Sequence, residues 1–199
     1  PLLMYSLKQL YASKLYFPIP FVERIENTTQ YAAVVYDGKQ PGSLLHAGIV
    51  GETLVLEAAS LGLGTCWVSG NYRRSKVDVP LKRGERIAAL IPFGAARAQD
   101  GAAHRRRKAL RDLCMDDPAL WPNWAFQAAE AVRAAPSAMN GQPWRFSFAG
   151  STLRLSGRGF PNVNFGIAVL HMLCALQGNP HRWRTAADGG GLLINLVET

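Results

Sequence analysis

The run Ala135-Pro136-Ser137-Ala138-Met139-Asn140-Gly141-Gln142-Pro143-Trp144 constrains this chain more than any other stretch. Pro136 cannot continue a helix and pushes Ala135 out of α geometry. Pro143 forces a second exit from regular structure. Between them, Ser137 and Asn140 carry short polar side chains that bond nearby backbone or a ligand. A helical pattern precedes the run and strand-like alternation follows it. Local chemistry leaves two readings open: a plain helix-to-strand turn, and a turn built to face a ligand.

The flanking segments make an α+β chain. Tyr31 to Tyr36 is a short apolar run ending at the turn signal Asp37-Gly38, and predicts a buried strand. Ser43 to Leu61 follows with Leu45, Ile49, Leu56 and Ala59 at helical spacing and apolar neighbours on most sides, which predicts a central helix. Gly62 and Gly64 end it, permitting backbone conformations or close approaches that a side chain would block. Thr65 to Val68 reads as strand, and Asn71 to Gly84 as loop with a short helix. Arg86 to Gly94 predicts a second buried strand, closed by Pro92 and Gly94. His104 to Leu113 is a basic helix or turn. Asn123 to Ala134 reads as a helix with Ala125, Ala128, Ala129 and Val132 on one face. A hairpin follows over Trp144–Phe148 and Thr152–Leu155, turning at Gly150. Pro161 to Gln177 predicts a third helix and Leu192 to Val197 a terminal strand. At the amino end, Ser6–Leu15 suggests a short helix and Phe17–Pro20 an extended piece. The small-residue connector Ala95–Ala103 divides the chain into halves at 1–103 and 104–199.

Several classes are disfavoured. No apolar run reaches the roughly 20 residues a membrane helix needs, and no membrane partner is expected. Three cysteines, Cys66, Cys114 and Cys174, show no metal spacing and predict reduced, buried thiols in a cytoplasmic compartment. The chain begins at Pro1 rather than Met, which leaves an upstream segment open. A net charge of +8 is concentrated in Arg105-Arg106-Arg107-Lys108 and in Arg73, Arg74 and Lys76. Such charge attracts phosphate-bearing ligands or nucleic acid. Little aromatic interleaving argues against single-strand binding, so a solvated basic face is the plain reading and no nucleic-acid partner is expected. The four histidines, His46, His104, His171 and His181, do not pair at metal spacing, and Ser137 has no His or acid near it in sequence to activate it. No metal site and no catalytic side chain is named. An enzyme with this sequence needs a cofactor to carry the reaction.

The run Ala-Pro-Ser-Ala-x-Asn-x-Gln-Pro-Trp resembles the signature turn of the FMN-dependent nitroreductase family. Leu61-Gly62-Leu63-Gly64-Thr65-Cys66-Trp67, at the end of a long helix, resembles that family's other flavin-facing piece. Gly166-Ile167-Ala168-Val169-Leu170-His171 resembles a helix start in a duplicated, single-chain subgroup. A faint internal repeat, Gly51-x9-Leu61 against Gly166-x9-Leu176, agrees with duplication. The resemblance implies a nitroreductase-like fold, with a central antiparallel sheet flanked by helices and two pseudo-symmetric halves. It also implies an oxidoreductase passing reducing equivalents from NAD(P)H through FMN to a nitroaromatic, quinone or similar small-molecule acceptor.

By resemblance, FMN faces Gly62, Leu63 and Gly64 of the first half and Pro136, Ser137, Ala138, Asn140 and Gln142 of the second. Arg107 and Lys108 reach its phosphate, following the strand that ends at Gly94. The chain would act as a monomeric pseudo-dimer or as a homodimer. Two departures stand out. No segment before Tyr36 matches the Arg-Arg-Ser-x-Arg piece with which the family usually holds the phosphate, and Arg73-Arg74-Ser75 lies after the strand instead. Asn164 stands where the third motif usually has an acid. They leave open an alternative, a non-catalytic flavin-fold binding protein lacking a complete phosphate site.

Overall fold

The computed structural model describes residues 28, 30–70, 72–96, 106–177 and 182–197. The expectations for Ser6–Leu15 and Phe17–Pro20, and the position of Arg105, lie outside the described residues. The chain divides after Ala103 into two compact units, Pro1–Ala103 and His104–Thr199.

In the first unit, β1 (Gln30–Asp37) leads through Gly42 into α1 (Ser43–Ser60), then β2 (Leu63–Thr65) and β3 (Glu85–Ala95). The strands form an antiparallel sheet in the order β1-β3-β2. Pro92 does not close β3 but lies inside it, opposite Tyr31 of β1. A proline in a central strand removes one ladder donor. Here its carbonyl accepts from Cys66 N–H at 3.3 Å, so its missing N–H also falls on the β2 side. That side is already a gap, because β2 ends at Thr65 and pairing resumes only at the isolated Val68–Leu90 bridge.

Helix α1 is less central than its composition suggests. Its buried residues are Ala47, Gly48, Gly51, Glu52 and Ala58, whereas Leu45, Ile49, Leu54 and Val55 are half-buried and Leu56 is exposed. The reason is a close approach at Gly51. A Cβ there would stand 2.3 Å from the Trp67 ring, so the edge of the indole packs directly against the helix backbone. Trp67 Nε1–H donates to buried Glu52 Oε2 at 2.8 Å, which satisfies the indole donor and gives the buried carboxylate a partner.

The second unit holds α2 (Asn123–Ala134), β4 (Trp144–Ala149), β5 (Thr152–Gly157), α3 (Val163–Gln177), β6 (Arg182–Ala187) and β7 (Gly191–Val197). Its sheet is antiparallel in the order β4-β5-β7-β6. The strands thus form two sheets among the described residues rather than one central sheet. Ala125, Ala128, Ala129 and Val132 are fully buried, as the helical spacing of α2 predicts. Along the hairpin, Trp144, Phe146, Leu153 and Leu155 are buried while Arg145 and Ala149 are exposed. Helix α3 starts at Val163 rather than Pro161 because Asn162 Oδ1 accepts from the N–H groups of Asn164 and Phe165. Asp116 ties the segment ahead of α2 to β4, accepting Trp121 Nε1–H at 2.6 Å and Phe148 N–H at 2.9 Å. The cysteines are not buried: Cys66 and Cys114 are half-buried and Cys174 is exposed, all three as free thiols.

Candidate functional site

The Pro136–Pro143 turn is an unusual piece of backbone. Met139, Asn140 and Gln142 have φ of 52°, 51° and 47°, three left-handed residues of which none is glycine. Each such residue costs about 1 kcal/mol or more and persists only where its surroundings over-determine it. The surroundings do so here. Asn140 N–H donates to Ser137 O at 2.9 Å and Gly141 N–H to Ala138 O at 3.0 Å, closing a 3-10 turn. Ser137 Oγ accepts from Gln142 N–H at 3.0 Å. Ala138 N–H donates to Asn164 Oδ1 at 3.0 Å, tying the turn to the start of α3.

Gln142, only 2 % exposed, is the inner pin. Its Oε1 accepts from Lys108 N–H at 2.9 Å and its Nε2–H donates to Asn140 O at 3.2 Å. The basic segment is laced to the same turn. Arg107 donates from Nη1 to Asn140 Oδ1 at 2.7 Å, and from Nε and Nη2 to Ala134 O at 3.2 and 2.8 Å. Lys108 Nζ donates to Gly141 O at 2.8 Å. Asn140 Nδ2–H returns a bond to Arg106 O at 2.8 Å.

Pro136 and Ser137 are half-buried and Ala138 is exposed beside them, while Met139 at the apex is 91 % exposed. Two features decide what can meet a ligand. Asn140 has both ends of its amide engaged by the protein, and Gln142 is covered, so both shape the turn. Lys108, by contrast, is exposed and its ammonium bonds only neutral carbonyl oxygens among the described residues, leaving its charge uncompensated. Position after the β3 strand singles out Arg107 and Lys108, but it does not reveal Asn164, the Arg106 carbonyl or exposed Met139 as parts of the same construction. For Asn164 a signal exists: an amide oxygen can accept the Ala138 N–H as a carboxylate would.

The turn's far end is fixed by a second close approach. Gly157 pairs with Trp144, and a Cβ there would lie 2.2 Å from Pro143 O and 2.9 Å from the Phe165 ring. In the first unit, Gly62 has φ +72° and follows the last turn of α1, donating to Ala59 O at 3.0 Å. Leu63 and Gly64 lie in β2, with Gly64 opposite Gly94, and a Cβ on Gly64 would stand 3.3 Å from Ala96 Cα. The left-handed position of this motif is therefore Gly62, while Gly64 serves close backbone approach. Cys114 forms a backbone β-bridge with Phe146, and burial first, then the negative charges of Asp116 and Glu130, push its thiol up to about 11. Among the described residues no group of three or more His, Cys, Asp or Glu side chains is placed to hold a metal ion.

The sequence profile of a family described as "Putative TM nitroreductase" matches residues 17–176. The chain belongs to that family. The crystal structure of a "putative nitroreductase" from Thermotoga maritima superposes with a TM-score of 0.68, covering 97% of this chain and 81% of that one at 22% identity. At that identity the likeness speaks for the fold. No protein of curated function matches the chain. Membership and fold together support an oxidoreductase-type function.

Proposed function

We propose that the chain is an FMN-dependent oxidoreductase that takes reducing equivalents from NAD(P)H and passes them to a nitroaromatic, quinone or similar acceptor. The observation that supports this reading best is the convergence of Arg107 and Lys108 on the Ser137–Gln142 turn, across 33 residues of chain. A flavin phosphate is dianionic and needs cationic partners. The residues present fit it at that point: the Lys108 ammonium is exposed and held by neutral oxygens, and Arg107 is locked beside it. The flavin, when bound, supplies the two-electron chemistry of the reaction.

In this reading the chain's own residues bind and orient. Pro136, Ser137 and Ala138 present half-buried or exposed turn backbone to the ligand, and Asn140 and Gln142 fix the turn's shape. The role of Gly62, Leu63 and Gly64 as a flavin-facing turn, and the pairing of 1–103 with 104–199 as related halves, rest on resemblance. Three free cysteines support a cytoplasmic setting.

The experiment is an absorbance spectrum of freshly purified protein, followed by NAD(P)H oxidation with a nitroaromatic or quinone. The expected outcome is a flavin spectrum and acceptor-dependent turnover. The non-catalytic alternative is kept because no stretch of residues 1–35 matches the Arg-Arg-Ser-x-Arg piece that the resemblance leads one to expect. Flavin bound without turnover would select that alternative, and colourless protein that takes up no added FMN would refute both. Arg107→Ala should weaken FMN binding far more than riboflavin binding, since riboflavin lacks the phosphate. Equal losses would place the phosphate elsewhere.

A further inference from the structure

The basic end of the first unit sits outside the residues discussed so far, at the turn where β1 and β3 leave the sheet. Gly38 N–H donates to Gly84 O at 2.9 Å, closing the end of the pair. The Arg86 side chain lies over Gly38, its Nε 3.3 Å from where a Cβ would be, and the Lys39 side chain lies over Gly84 in the same way. These two cations flank Lys82-Arg83, and all four are exposed.

The cluster also holds two acids, each accepting a backbone N–H while keeping its charge, so four cations face two carboxylates. Asp37 Oδ1 accepts from Lys39 N–H at 2.9 Å and Glu85 Oε2 from Lys82 N–H at 2.7 Å. None of the four cations forms an ion pair with a described residue. Directly before Lys82 stands Leu81, 43 % exposed, preceded by exposed Pro80. The segment therefore carries four exposed cations and a net charge of +2 with Asp37 and Glu85 counted, around one protruding aliphatic side chain.

That combination selects among polyanions. Single-stranded nucleic acid is recognised by stacking on exposed aromatics, and beside this cluster Tyr72 is buried and Tyr36, opposite Arg86, is half-buried. A duplex phosphate backbone gains nothing from an exposed leucine. A bilayer surface uses both parts: anionic headgroups attract the cations, and the boundary with the acyl chains takes the leucine. We propose that Lys39, Leu81, Lys82, Arg83 and Arg86 form a docking surface for anionic phospholipid, which revises the expectation that this chain has no membrane partner. Docking is peripheral, and among the described residues no helix is long and apolar enough to cross a membrane.

The test is co-sedimentation of the full chain with phosphatidylcholine vesicles, with and without phosphatidylserine, in low and high salt. The expected result is pelleting that requires phosphatidylserine and is lost as salt rises. Each neutralised cation should lower partitioning about fivefold, so Lys82→Gln with Arg83→Gln should lower it about 25-fold. Leu81→Ser should lower it about tenfold while leaving the salt dependence unchanged. All three positions are exposed, so circular dichroism should show an intact fold. Absence of pelleting, equal pelleting on neutral vesicles, or a double variant that pellets like the parent would overturn the proposal. So would binding of a DNA duplex through Lys82 and Arg83 with no binding to the vesicles.

Discussion

Gln142→Ala tests whether the Pro136–Pro143 turn is held from inside. The side chain is 2 % exposed and makes two good hydrogen bonds, accepting from Lys108 N–H and donating to Asn140 O. Each bond contributes about 0.5–1.5 kcal/mol, and each partner left unsatisfied adds about 1 kcal/mol, less where water can reach it. Lys108 is exposed, so its N–H recovers part of that loss, and the sum is about 2–3 kcal/mol. Alanine keeps the left-handed backbone strain at position 142, so no relief offsets the loss. For a chain of this size the melting temperature should fall by about 4–12 °C. The assay is thermal unfolding by circular dichroism, paired with fluorescence titration of FMN and riboflavin. Because Gln142 acts by shaping the turn, its loss should weaken both flavins alike. A stability change under about 0.5 kcal/mol, measured against the expected hydrogen-bond cost, would refute the reasoning. So would a loss confined to FMN, which would make Gln142 a phosphate contact.

Gly157→Ala should push Pro143 away from its seat against β5, costing about 2 kcal/mol or more in urea unfolding, since the added carbon meets a carbonyl oxygen and not a flexible side chain. Met139→Gly should raise stability by up to about 1 kcal/mol, because Met139 is 91 % exposed and loses little packing while shedding a left-handed penalty; a lower melting temperature would show that the side chain is supported. Asp116→Ala removes the partners of Trp121 Nε1 and Phe148 N, and should cost about 2–4 kcal/mol with a shift in tryptophan emission. The raised Cys114 pKa makes a pH prediction: the folded state holds the thiol protonated above the unfolded value of 9.0, so this contribution is intact below pH 9 and is lost as pH rises towards 11. The denaturant midpoint of the parent should fall relative to that of Cys114→Ser as pH rises from 9 towards 11; parallel curves would remove the effect.

The sequence carries the elements whose burial is one-sided and hides those whose partner supplies everything. Helix α2 was legible because Ala125, Ala128, Ala129 and Val132 recur on one face that the second unit buries completely. The hairpin was legible through the alternation of Trp144, Phe146, Leu153 and Leu155. Strand β6 was not, since Arg184, Thr185, Ala186 and Ala187 are exposed, and its ladder exists only because β7 offers a free edge. The role of α1 was misread for a related reason. Apolar composition all round suggests a buried helix, but the close contact is set by Gly51 under the Trp67 ring, and a glycine adds nothing to a hydrophobic pattern.

For the site, sequence spacing located the turn and the basic pair but not the bonds that tie the two together. Resemblance makes Asn140 and Gln142 ligand groups, and local chemistry alone leaves a backbone role open for Asn140. The structure gives them one: three left-handed residues in a row of six need their strain held, and Asn140, Gln142, Arg107, Lys108 and Asn164 hold it through bonds to the main chain of the turn, of Ala134 and of Arg106 and Lys108. Such bonds span 26 to 34 residues of sequence, so no local pattern announces them. The consequence is chemical as well as structural. A turn locked by its own polar side chains can keep exposed backbone and one uncompensated ammonium in fixed positions without waiting for a ligand to order them, and that preorganisation lowers the entropy cost of binding a flat anionic cofactor.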